Sequence, residues 1–156
     1  MYFCQNISFM SNPIVAHFKQ HLNQPYKRYP SYLTEWLQPI LLEVEEGYSL
    51  FKITVRQDML NPIKTLHGGI SAAILDDLVG FTVYSLNDSN YYTTLNNYID
   101  YLGAARLDDV IIIESKVAKR GKQFVNVECT IWDESKSKMI AKGVSNLFRL
   151  NQEREK

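Results

Sequence analysis

The chain has 156 residues, 46% of them apolar and 22% charged, which suits one domain with a single sizeable core. Seventeen basic residues balance seventeen acidic ones, so no net field gathers nucleic acid or anionic lipid, and neither is expected as a partner. No stretch approaches the ~18 uninterrupted apolar residues of a membrane span.

Taken in chain order, the opening MYFCQNISFMSNP lacks the basic n-region and long apolar run of a secretory signal. The two cysteines, Cys4 and Cys129, are too few and too far apart for a disulfide framework or a zinc site. Both readings point to a cytoplasmic protein with reduced thiols. Residues 11–23 predict a short amphipathic helix, with Ser11 or Asn12 as cap, Pro13 in the first turn, and Ile14, Phe18 and Leu22 on one face. His17 and His21 share a face of it, but no acid or Cys pattern supports a metal site, and none is expected. The following QPYKRYPSYLTEW has no clear period and reads as a surface connection.

Two strands come next, ILLEVEE and YSLFKITV, joined by a tight Glu-Gly turn. Residues 70–83 then form the most apolar segment, a helix with no wet face. A loop, NDSN, leads into four extended runs: YYTTLNNYIDYL, DVIIIESKVAK, QFVNVECTIW and MIAKGVSNLFRL. Val125, Val127, Cys129 and Ile131 alternate cleanly with polar neighbours. KRGK and DESKSK are hairpin turns. A single long helix among strands predicts an α+β fold with a mainly antiparallel sheet. The expected division is an N-terminal helix and connection over 1–38, the main domain over 39–150, and a polar tail over 151–156.

The central segment, NPIKTLHGGISAAILDD, carries two aspartates. An unpaired buried carboxylate is costly, so each must find a partner, reach a crevice, or do chemistry. Ala72, Ala73 and Gly80, the helical neighbours of Asp76, are small and leave room for a ligand or a second backbone. Asp77 lies beside Ile74 and Phe81 and reads as structural. The Gly68-Gly69 pair allows either a tight turn or the close approach of an oxyanion to unpaired helix-start N–H groups. Asp76 is eight residues beyond Gly68, ~12 Å along a helix rising 1.5 Å per residue. If both serve one reaction, two subunits must contribute, which predicts a dimer with the site at its interface.

NPIKTLHGGISAAILD resembles the signature of hotdog-fold acyl-CoA thioesterases, in the branch that holds the phenylacetate-pathway enzymes and mammalian thioesterase superfamily members. The resemblance runs over about residues 40–150, including TTLNNYIDYL and VAKRGKQFVNVEC. It implies a long helix wrapped by a curved sheet, a homodimer, and commonly a dimer of dimers. It implies that Asp76 is the catalytic carboxylate, as general base or as nucleophile through an anhydride. Gly68 of the opposite subunit would supply an oxyanion N–H, with Gly69 beside the substrate. Asn61 would help hold the thioester or the attacking water, His67 would polarise or brace the loop, and Thr94 would orient the acid. The hairpin cations Lys119, Arg120 and Lys122 read as a solvated turn or, by the resemblance, as contacts to the phosphates of coenzyme A. The implied substrate is an acyl-CoA, and no cofactor is implied.

Two positions depart from the family pattern. Lys64 stands before TLHGG where relatives usually have Gly, and Ala104 stands where many have Pro. The competing reading is a non-catalytic acyl-CoA binding or sensing module on the same fold, which would have no reason to keep Asp76. A dehydratase would use a catalytic His in a different motif, and that arrangement is absent.

Overall fold

A computed structural model describes residues 12–25 and 31–154. Cys4, Ser11 and the last two residues of the expected tail lie outside the described residues. The first helix, α1, is Pro13–Lys19, with the Asn12 carboxamide accepting from the N–H groups of Ile14 and Val15. It is shorter than expected, ending in a turn before Leu22. Phe18 on its buried face stacks 4.4 Å from Phe81.

The aperiodic connection contains a helix that sequence reading missed: α2, Tyr32–Leu37, capped by the Ser31 hydroxyl. Six residues are too short to display a helical period. Its stability comes from tertiary contacts at both ends. Leu37 enters the core, while the Arg56 guanidinium donates to the carbonyls of Trp36 and Leu37 at the C-terminus.

Strands β1 (Ile40–Glu45) and β2 (Tyr48–Thr54) form the expected hairpin. Gly47, at φ 73°, occupies the turn position that side chains rarely adopt. The central helix, α3, spans Gly68–Tyr84. Then follow β3 (Asn90–Tyr101), β4 (Val110–Arg120), β5 (Phe124–Asp133) and β6 (Met139–Glu153). The six strands order as β1-β2-β4-β5-β6-β3, with every neighbouring pair antiparallel. Strand β6 takes in residues 151–153, so the polar tail begins later than expected.

Helix α3 lies on the inner face of this sheet. Ile74, Leu75, Leu78 and Phe81 are fully buried against Phe51, Ile113, Val125 and Val127. Cys129 belongs to the same core, where burial pushes its thiol up to about 12. The helix is not dry all round, however. Ala72, Ala73, Asp76, Asp77 and Gly80 stay half-exposed, a stripe left uncovered because the sheet curves around only part of the circumference.

Candidate active site

The loop entering α3 is built by Asn61. Its carboxamide oxygen accepts from the N–H groups of Ile63 and Thr65, and its nitrogen donates to the Thr65 hydroxyl at 2.8 Å. Both ends of the side chain are therefore spent on its own turn. Lys64 sits in this turn at φ 63°, the left-handed region that glycine favours, which accords with the Gly expected at this position from the family resemblance. Pairings of Leu60 with Leu66 and of Thr65 with Arg106 tie the loop to its surroundings.

His67 caps α3. Its Nδ1 accepts from the Gly69 N–H at 2.8 Å, which requires the tautomer with the proton on Nε2. His67 therefore braces the loop, and the Gly69 N–H is already engaged. The Gly68 N–H has no acceptor among the described residues. A Cβ on Gly68 would meet Tyr101 at 3.4 Å, an ordinary contact, and its φ is not positive. Nothing among the described residues requires a glycine at that position.

Asp76 projects from the half-exposed stripe towards β3. Its Oδ1 accepts from the Thr94 hydroxyl at 3.0 Å and from the Asn97 carboxamide nitrogen at 2.8 Å. The structure thus brings Thr94 to Asp76, and beside them Asn97, which sequence reading did not name. In a regular strand, residues three apart face opposite ways. Here the register with β6 shifts between Thr94 and Asn96, leaving Leu95 without an opposite residue, and this bulge turns Asn97 to the inner face. The buried Ser145 hydroxyl of β6 donates to the other end of Asn97, at 2.5 Å. The only sequence signal was a pair of asparagines inside an otherwise strand-forming run.

Asp77 has a different environment. Its two carboxylate oxygens accept from the hydroxyls of Ser31 at 2.8 Å and Thr34 at 2.6 Å, so it anchors the start of α2. Burial pushes its carboxyl above the ordinary range, against the pull of the Thr34 and Ser31 hydrogen bonds. This is the structural partner that the sequence required without identifying.

Lys119 and Lys122 line an open groove of about 590 Å³ together with Gln123, Phe124, Asn126 and Asn146. Phe124 and Asn126 alternate with the buried Val125 and Val127, so the groove lies on the outer face of the sheet. Arg120 instead reaches Asp88 at 3.3 Å and Glu46 at 3.6 Å. The predicted residues therefore fall into four places: Asp76 with Thr94, Asn61 with His67 and the glycines at the start of α3, the two lysines on the outer face of the sheet, and Arg120 at the acidic pair Asp88 and Glu46.

Residues 63–140 match the profile of the Thioesterase superfamily. Acyl-coenzyme A thioesterase 13 of Homo sapiens is 25% identical over 103 residues, covering 66% of this chain and 74% of that protein. Among solved structures, the E. coli PaaI protein from the phenylacetic acid degradation operon is similar in fold, with a TM-score of 0.74 at 19% identity. The match covers 89% of this chain and 93% of that one. A Streptococcus mutans UA159 protein bound to acetyl CoA gives a TM-score of 0.73 at 20% identity, covering 83% of this chain and 98% of its own.

Proposed function

Since the chain belongs to the thioesterase superfamily, we propose that it hydrolyses an acyl-CoA thioester to free coenzyme A and a carboxylic acid. The observation that carries this reading is Asp76, a half-exposed carboxylate on the core helix that, among the described residues, is held by a hydroxyl and a carboxamide rather than by a cation. A non-catalytic acyl-CoA module has no use for such a group.

Two routes are open to that carboxylate. As general base it takes a proton from water while the water oxygen bonds to the thioester carbon. As nucleophile it bonds to that carbon itself, giving an anhydride that water then cleaves. In both, the carbonyl electrons move onto oxygen and then return as the C–S bond breaks, and the departing thiolate takes up a proton. The developing oxyanion is met by an unpaired N–H, the role of Gly68.

Gly68 of the same chain is ~12 Å away along α3, so the N–H comes from a second copy. Support for a dimer lies in β3, a twelve-residue edge strand with Leu95 53% and Tyr98 68% exposed. A long edge with apolar side chains is a surface that a second copy covers. Dimers then pair into tetramers, as the resemblance implies. Asn61 and His67 hold the loop that presents Gly68. Gly69 leaves room for the acyl-CoA, and Lys119 and Lys122 meet its phosphates.

Thiol release from phenylacetyl-, benzoyl-, hexanoyl- and palmitoyl-CoA tests the reading, with Asp76→Asn beside the wild type. The variant should lose turnover by on the order of 10²–10⁴-fold while remaining folded. Binding without turnover in both proteins would instead favour the sensing module. Label found in Asp76 after repeated turnover in ¹⁸O-water would establish the nucleophilic route, with water cleaving the anhydride at the Asp76 carbonyl.

A further inference from the structure

We propose that Asn97 and Ser145 form a positioning relay that determines which oxygen of Asp76 reacts, an inference that rests on the thioesterase reading. A carboxylate can turn about its last bond and exchange its oxygens, because that torsion is broad and roughly two-fold. Here the exchange is opposed. Thr94 and Asn97 both donate to Oδ1, at 3.0 and 2.8 Å, while Oδ2 has no hydrogen-bond partner among the described residues. Oδ2 is left as the oxygen that takes the proton from water or attacks the thioester.

The arrangement depends on Asn97 presenting its nitrogen rather than its oxygen. A carboxamide is nearly symmetric in shape, so the choice must come from its partners. Flipped, it would set its own oxygen against Oδ1, acceptor against acceptor. In the observed orientation its oxygen receives the Ser145 hydroxyl, which is buried and would otherwise lack an acceptor for its proton. Every polar atom along Ser145, Asn97 and Oδ1 is then matched, donor to acceptor. Asn97 touches Asp76 and Ser145 touches Asn97, so both position the carboxylate.

Kinetics of the full chain with Asn97→Leu, Ser145→Ala and the double variant test the role. Asn97→Leu should lower kcat by roughly 10- to 100-fold, the scale of a reacting group displaced by about an ångström, with KM within about twofold. Ser145→Ala should cost a few-fold alone and nothing further in the Asn97→Leu background, because it acts only through Asn97. Asn97→Asp, which keeps the shape and removes the donor, should lose as much as Asn97→Leu and serves if the latter misfolds. The hydrogen bond itself is read without activity. The Asn97 side-chain amide ¹⁵N–¹H resonances should shift and exchange faster with water in Asp76→Ala. A folded Asn97→Leu with kcat within twofold of wild type, additive losses in the double variant, or an amide indifferent to Asp76→Ala would each overturn the relay. A wild type that turns over no thioester sinks the functional reading instead, and the amide resonances then decide the relay alone.

Discussion

Gly68 and Lys64 show opposite relations between residue type and backbone. Lys64 holds a conformation that suits glycine, at φ 63°, and pays for it in strain. A left-handed side-chain residue costs roughly 1–2 kcal/mol, while glycine costs roughly 0.5–1 kcal/mol of unfolded-chain entropy. Lys64→Gly should therefore stabilise the protein by about 0.5–1 kcal/mol, read as a higher urea midpoint at unchanged slope. Gly68 is the converse, a glycine where the chain itself would accept a side chain. Gly68→Ala should leave the urea midpoint nearly unchanged and lower kcat/KM on the order of 10²-fold, as expected when oxyanion stabilisation is disturbed. The sequence disclosed both positions: one as a departure from a motif, the other as half of a Gly-Gly pair. It could not disclose that Asn61 consumes its own side chain in the turn, because that depends on three-dimensional hydrogen bonding within five residues.

At the scale of elements, legibility followed length and periodicity. The strands and α3 are long enough to repeat their patterns, and their order was readable. Helix α2 shows too little of itself to be seen, and the hydroxyls that fix it meet Asp77 more than forty residues away. The junction between α3 and β3 depends similarly on distant partners. Asp88 accepts from the Asn90 N–H, the Tyr92 hydroxyl, Arg149 of β6 and Arg120 of β4. Burial, the largest influence, would raise its carboxyl, but these donors and cations together hold it below the ordinary value of 3.8. The native state then binds fewer protons than the unfolded chain in acid. The stabilisation is complete above that ordinary value and is lost as pH falls through the native one. Urea midpoints at pH 5 and pH 3 should fall further for the wild type than for Asp88→Asn.

For the whole molecule, the fold class was readable from the pattern of elements and the separation between Asp76 and Gly68 from residue counting; if both residues serve one reaction, that separation calls for a second copy. What counting could not supply was the face that the proposed dimer would use, because strand order is a property of the sheet and not of the chain. With β3 at the edge, its exposed side chains and its contacts to Asp76 belong to one element. Leu95→Glu with Tyr98→Glu should therefore give monomers by sedimentation velocity and remove turnover with them, while circular dichroism stays that of the wild type. Monomers that retain full activity would show that a single chain suffices.

The bulge in β3 also bears on how relatives should be compared. Leu95 stands opposite no residue of β6, so a chain lacking it would keep Thr94 and Asn97 on the inner face, now two positions apart, with Asn96 still outside. Strand length can drift by one residue in evolution without turning a functional side chain away. Equivalent positions are therefore to be matched by the direction in which they point, with a gap allowed at Leu95, and not by counting forward from the glycines.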